Sequence, residues 1–333
     1  MKIYLAGDSI VQNYEKEEFI AGWGQFLPFF IKDGVEVVND AKCGRSSRLF
    51  INEGRFDNIE KNISAGDYLL IEFCHNDDAS KEYKTMFNRL TPLGEPDSDG
   101  RFPIIPGEAM PKDYIPPEYI DALRKDENVK DKQAVLDSVY KILESYPHDT
   151  YYPYSADGSK GTYLWFLKQF VDMAREKGAV PVFVTAPART VYDANGNIKD
   201  GAGLHGGNNF AYIRAMKQLG EEAKVPVIDL FAYSCGLYKQ IGKEKIHWIT
   251  SIKKGCNKGI WPDDFNSEMQ KKETVSEDTH FNKYGAMLIT QGLVKLIKES
   301  DSSQLDGLKG MLKNPDGIDI EKYVKKPLVF EEF

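Results

Sequence analysis

Three short polar clusters in this chain hold side chains able to work on an electrophilic carbon. They are Gly7-Asp8-Ser9, Lys42-Cys43-Gly44-Arg45-Ser46-Ser47 and Cys74-His75-Asn76-Asp77. Ser9 offers a hydroxyl, Gly44 a backbone that a ligand can approach closely because it has no Cβ, and Asn76 an amide donor suited to developing negative charge. Taken singly, each has an ordinary equivalent: an N-capping serine, a turn glycine, and an asparagine folding back on its own backbone at a strand end.

A fourth cluster changes that balance. In Ser276-Glu277-Asp278-Thr279-His280-Phe281-Asn282-Lys283-Tyr284-Gly285-Ala286, two acids fall within the three residues before a histidine, just ahead of the last apolar-periodic stretch. A serine hydroxyl is a weak nucleophile at neutral pH and needs a base that is itself oriented by a third group. His280 with Glu277 or Asp278 has the composition of such a pair. His148, His205 and His247 show no metal-ligand spacing, and His75 adjoins Asn76, where it can hold the loop.

The elements that would position these clusters can be read from the apolar pattern. Runs at 3–6, 35–39, 68–73, 180–185 and 225–230 have strand length and continuous rather than alternating apolarity, which indicates strands buried on both faces. Helical patterns lie between and after them at 23–31, 55–63, 163–177, 208–223 and 284–299. In the third of these Leu164, Leu167, Phe170, Val171 and Ala174 recur at spacings of three and four and make one apolar stripe. Alternating strands and helices predict βαβ units and a doubly wound parallel sheet, and such sheets bind ligands beyond the carboxyl ends of their strands. The first three clusters each follow one of the first three runs.

Two regions interrupt the alternation. Residues 81–160 are rich in proline, with one helical stretch near 133–144; a connection of that length is functional or an added subdomain. Their prolines are expected to keep them stiff and largely non-helical, walling the site or forming a subunit contact. Residues 301–333 form a C-terminal extension, a second surface through which copies of the chain can associate. The remainder, 1–300, reads as one domain carrying the insertion.

Composition narrows the partners. A net charge of −8 argues against a surface built to neutralise nucleic-acid phosphate. No stretch is long and apolar enough to span a membrane, and the first residues turn polar before a signal-peptide apolar region is complete, so a cytoplasmic location is expected rather than export. The four cysteines, Cys43, Cys74, Cys235 and Cys256, stand apart from one another and are expected as reduced, partly buried thiols.

The four clusters, in this order, resemble the sequence blocks of the GDSL/SGNH hydrolases. The runs YLAGDS, GRSSR, EGRFDNI, GDYLLIEF and DTHFNKYGA are most similar to the rhamnogalacturonan acetylesterase branch of carbohydrate esterases. The resemblance implies an α/β fold: a three-layer α/β/α, flavodoxin-like arrangement with a five-stranded parallel sheet of order 2-1-3-4-5. It implies Ser9 as nucleophile, His280 as base, and the Ser9 N–H, Gly44 N–H and Asn76 amide as an oxyanion hole. No metal and no organic cofactor are implied.

The expected reaction is removal of short acyl groups, acetate above all, from carbohydrate through an acyl-enzyme. The alternatives are an acyl hydrolase or transferase acting on lipid or thioester, and a carbohydrate-binding protein without turnover. This chain departs from the family pattern in three places. Cys74 stands where Gly is usual, the segment after Asn76 is longer, and Glu277 occupies the place three residues before the histidine where the family carries Asp. That spacing favours Glu277 as the triad acid and leaves Asp278 as the alternative, with helix capping as its other role. Trp23, Arg189 and His75 are the expected sugar contacts: Trp23 by stacking, Arg189 by reaching a sugar or its carboxylate.

Overall fold

The computed structural model describes residues 1–15, 20–78, 89–155, 158–199, 210–252 and 276–324, with backbone alone for 276 and 277. The strands among them are β1 (Lys2–Gly7), β2 (Ile20–Ala21), β3 (Glu36–Asn39), β4 (Tyr68–Glu72), β5 (Met110–Pro111), β6 (Thr150–Tyr151), β7 (Val180–Val184), β8 (Val227–Ile228), β9 (Thr250–Ile252) and β10 (Ser276–Asn282).

Five of them form one parallel sheet in the order β3-β1-β4-β7-β8. Counted within this sheet alone, that is 2-1-3-4-5, the order the family resemblance implies. Leu5 at the centre of β1 faces Asn39 of β3 and Leu70 of β4. β1, β4 and β7 are buried at every position after the first residue, which is why their sequences are apolar without alternation.

The helices gather in two groups. Ser47–Asn52, Arg55–Asn62, Tyr163–Glu176 and Ala211–Ala223 pack along one another, and Lys283–Glu299 packs between Trp23–Phe26 and Leu230–Ile241. These are the outer layers of an α/β/α sandwich. The stripe on Tyr163–Glu176 is driven inward: Leu164, Leu167 and Phe170 are fully buried, each such side chain contributing roughly 1.5–3 kcal/mol.

The structure departs from the apolar pattern at three boundaries. The stretch 23–31 is α-helical only to Phe26 and continues as a 3₁₀ turn, Leu27–Phe30, where Pro28 has no N–H to give an α-helical ladder. Only Val227–Ile228 of 225–230 pairs as a strand, because the Asp229 carboxylate accepts from the Ala232 N–H and starts the helix Leu230–Ile241. The helix expected from 208 is observed from Ala211, and 208 itself lies outside the described residues.

A second, antiparallel sheet, β2-β10-β9, was not anticipated. Its middle strand carries the last polar cluster to the end of the main sheet.

The long insertion is more helical than its prolines led us to expect. It contains Pro117–Lys125 and Lys132–Ser145, and Pro116 and Pro117 sit at the start of the first, where a missing N–H costs nothing. Ile115, Tyr119, Leu123, Val139, Leu143, Tyr146 and Tyr151 form a small separate core that reaches the main domain through Leu49. The described part of the C-terminal extension packs on its own chain: Leu305, Leu308, Met311 and Leu312 join the main core, and Leu312 bridges to Ile31.

Candidate active site

The strand order reverses between β1 and β4, so a crevice opens beyond their carboxyl ends. Gly7, the last residue of β1, is in register with Glu72, the last of β4. Asp8-Ser9 and the loop carrying Asn76 therefore leave the sheet side by side.

The turn after β1 is built around Asp8. Its carbonyl accepts from Val11 N–H (3.2 Å) and Gln12 N–H (3.1 Å), while its carboxyl oxygen Oδ1 accepts from Ile10 N–H at 2.9 Å. Ser9 is thus held at the apex of a tight bend, and its carbonyl accepts from the Tyr14 hydroxyl at 3.0 Å. Glycine is required at position 7, because a Cβ there would lie 2.6 Å from Val11 Cγ2 and 2.9 Å from the Glu72 carbonyl oxygen.

The second loop is tied to the first by Lys42 N–H, which donates to the Gly7 carbonyl at 3.1 Å. Its turn closes through Arg45 N–H to the Lys42 carbonyl, with Gly44 at φ +82°, a region side chains avoid. Ser46 then caps the helix Ser47–Asn52 by accepting from Leu49 N–H.

Asn76 bridges the loops: its Nδ2 donates to Asp8 Oδ2 at 3.1 Å and to the Arg45 carbonyl at 3.2 Å. The next residue, Asp77, locks the same junction from below, its Oδ1 accepting from Ser47 N–H at 3.0 Å and Ser47 Oγ at 2.5 Å.

His280 reaches this crevice from β10. The strand faces Ile252 with Ser276 and Thr250 with Phe281, so five steps on β10 match two on β9, and the surplus lies in the stretch Glu277-Asp278-Thr279-His280. A bulge of this kind re-aims side chains out of the ladder. His280 Nε2 lies 2.8 Å from Ser9 Oγ.

Of the two candidate acids, the Glu277 side chain lies outside the described residues. The Asp278 carboxylate accepts from the Thr279 hydroxyl at 2.9 Å, and its backbone carbonyl accepts from Thr190 N–H at 2.7 Å. Asp278 does not cap the following helix. Asn282 does so, its side chain accepting from Gly285 N–H, because the strand runs on to residue 282 before the helix begins.

Three buried carboxyls underlie the site. Burial pushes Asp8 up to about 6, against the Ile10 N–H, the nearby His280, the Asn76 amide and Arg189. Burial pushes Asp77 to about 7, opposed by hydrogen bonds from Ser47 and Thr91. Glu72 is fully buried with no hydrogen-bond partner for either carboxyl oxygen among the described residues; burial, then the charges of Asp8 and Asp77, raise it well above the usual carboxylate range.

The three expected sugar contacts have different fates. Trp23 is 1% exposed, inside the core where the first helix meets Lys283–Glu299, and its carbonyl accepts from Thr290 Oγ1. It has no face to offer a sugar, and that expectation is corrected. Arg189 lies beside the site, with Nε 3.4 Å from His75 Nδ1 and Nη2 3.5 Å from the His75 carbonyl. His75 is buried at 6% exposure beneath it.

One further residue, which no motif or spacing singled out, also lies here. Arg89, from the insertion, lays its guanidinium over Gly44 and donates from Nη1 to Asn76 Oδ1 at 3.5 Å. Cys43, Cys74 and Cys235 are free thiols, and 256 is outside the described residues. Among the described residues no helix is long and apolar enough to cross a membrane.

Comparison with known proteins gives a consistent relationship. No family model matches the chain. It is 30% identical over 300 residues to the rhamnogalacturonan acetylesterase RhgT of Bacillus subtilis, covering 90% of each chain. It is 30% identical over 298 residues to the probable rhamnogalacturonan acetylesterase YesY of the same organism, covering 89% of this chain and 92% of that one. In structure it resembles the Bacillus subtilis protein YxiM with a TM-score of 0.52 and 20% identity, over 91% of this chain and 57% of the other. That likeness shows the fold.

Proposed function

The chain belongs to the rhamnogalacturonan acetylesterase family of SGNH hydrolases, enzymes that are carboxylic ester hydrolases, and from that premise we propose that it removes acetyl groups from a rhamnogalacturonan-type polysaccharide by a serine mechanism. The observation that carries the reading is the 2.8 Å approach of His280 Nε2 to Ser9 Oγ at the switch point of the sheet.

In the first step Ser9 Oγ attacks the acetyl carbonyl carbon while His280 Nε2 takes its proton. The carbonyl oxygen becomes an oxyanion facing the Ser9 and Gly44 N–H groups. Asn76 supplies the third donor. In the free enzyme its two amide hydrogens serve Asp8 Oδ2 and the Arg45 carbonyl, and the longer of these bonds, 3.2 Å to a neutral carbonyl, is the one a full negative charge outcompetes. Asp8 then keeps the amide in place through the bond that remains.

The tetrahedral intermediate collapses as His280 returns the proton to the sugar oxygen, and the deacetylated alcohol leaves. Water deprotonated by His280 attacks the acetyl-Ser9 ester, and acetate departs with Ser9 reprotonated. Glu277, by its place three residues before the base, is the carboxylate proposed to hold the imidazole and stabilise its protonated form.

The test is acetate release from acetylated rhamnogalacturonan, with acetylated xylan and longer acyl esters as competitors, by the wild type and Ser9→Ala. The wild type should favour the first substrate, and Ser9→Ala should lose several orders of magnitude in kcat while melting at the wild-type temperature. A Ser9→Ala protein that turns over at the wild-type rate would rule the mechanism out.

A further inference from the structure

The arginines of the described structure differ in what answers their charge. Arg45 is held by Glu53 through two 2.7 Å bonds, and Arg55 reaches the same carboxylate. Arg48 is buried and donates to the Leu90 and Tyr152 carbonyls. Arg101 pairs with Glu222. Arg89 has no carboxylate among the described residues. Among the described residues the one polar contact of its guanidinium is the long bond from Nη1 to Asn76 Oδ1, and it is half-buried rather than stretched into solvent.

Its position is equally particular. A Cβ built on Gly44 would lie 3.0 Å from Arg89 Nη2, 3.3 Å from Cζ and 3.6 Å from Nε, so the guanidinium covers the glycine whose N–H is proposed to face the oxyanion. A guanidinium presents five N–H donors in a flat fork that matches a carboxylate. Four of the five make no bond within the described structure. A cation held this close to the ester-binding loop, with most of its donors uncommitted, is arranged for an anion on the substrate.

We propose that Arg89 binds the carboxylate of a uronosyl residue in the acetylated chain, at or next to the sugar that bears the acetyl group. The proposal rests on the polysaccharide acetylesterase reading above and adds the residue that makes the enzyme selective for acidic sugars. Arg89 touches substrate here and does not enter the chemistry. The insertion thereby supplies a specificity element directly beside the catalytic loops, and Arg189, beside His75, adds positive potential to the same crevice.

The experiment compares two forms of one substrate, acetylated uronate-containing oligosaccharides as free acids and as methyl esters, with wild type, Arg89→Gln and Arg89→Lys. For the wild type, kcat/KM should be about 10- to 100-fold higher on the free acid, the size of a charged hydrogen-bonded contact, and should approach the methyl-ester value at high salt. Arg89→Gln should bring the ratio of the two substrates close to one, mainly through KM on the acid, and Arg89→Lys should keep part of it.

A ratio left unchanged in Arg89→Gln overturns the proposal, as does a parallel fall on both substrates, which would make Arg89 only a support for Asn76. A wild type that deacetylates both forms equally defeats this inference and leaves the acetylesterase reading standing. A wild type that releases acetate from neither form defeats that reading of the substrate instead. The wild-type comparison requires no variant to fold.

Discussion

Truncating Asn76 to alanine probes the crevice in two ways at once, because one amide is bonded to both loops. Nδ2 spans Asp8 Oδ2 (3.1 Å) and the Arg45 carbonyl (3.2 Å). Loss of an oxyanion donor costs about 10² to 10³ in kcat, or roughly 2.7–4 kcal/mol of transition-state stabilisation, with little effect on ground-state binding. The same truncation removes one of the hydrogen bonds that oppose the burial of Asp8, so its carboxyl, already at about 6, moves higher. The sign of the stability effect follows. A carboxyl whose folded pKa exceeds its unfolded value costs stability as pH rises from the unfolded pKa through the folded one. For the wild type that window runs from about 4 to about 6; in Asn76→Ala it extends further up. The variant should therefore lose extra melting temperature above pH 6, beyond a pH-independent deficit of about 1–3 kcal/mol for the missing buried partner. Steady-state kinetics on a short acetyl ester and on the oligosaccharide, with melting curves between pH 5 and 8, measure both effects. A variant whose KM rises while kcat stays within about threefold of wild type makes Asn76 a binding residue and removes it from the oxyanion hole. A melting deficit that does not grow above pH 6 breaks the link to Asp8.

Three further substitutions test the acids. Glu277→Gln is expected to reduce kcat by orders of magnitude, whereas Asp278→Asn, whose carboxylate accepts from the Thr279 hydroxyl, should change kcat little; comparable slight losses in both would mean that neither orients His280. Glu72→Gln replaces a buried carboxyl, with no partner for either oxygen among the described residues and a pKa raised well above 4.5, by a neutral isostere. Wild-type stability attributable to Glu72 falls as pH rises above 4.5, so the melting temperature of Glu72→Gln relative to wild type should climb across that range, and a difference constant with pH would show that Glu72 does not change charge there.

What the sequence revealed and what it hid have a common physical origin. Strands buried on both faces are apolar at nearly every position, Glu72 at the end of β4 apart, so β1, β4 and β7 announce themselves as continuous runs, and the polar residues after them are then legible as the floor of a crevice. Ser9, Gly44 and Asn76 were visible for that reason; their chemical roles came from the resemblance, since each alone reads as a cap or turn. β10 is different. Ser276–Asn282 is a mostly polar strand whose pairing with β9 is interrupted by the surplus residues between Ser276 and Phe281, and neither period-2 alternation nor an apolar run survives such a bulge. It reads as a loop before a helix, and Asp278 was accordingly given a capping role that Asn282 fills. Trp23 failed for the opposite reason. An aromatic beside a polar loop has the same local pattern whether it faces solvent or a helix remote in sequence, and only the packing of Lys283–Glu299 against Trp23–Phe26 decides it. Arg89 had no local pattern at all. Its setting depends on the insertion returning to Gly44, a contact between residues 45 positions apart that no helical or strand period encodes. The scaffold of the reaction is thus written in short-range hydrophobic pattern, while the residue proposed to choose the substrate is placed by long-range contact alone, and substitutions in the insertion near Arg89 are the ones expected to alter which polysaccharide is accepted without altering how its acetyl group is removed.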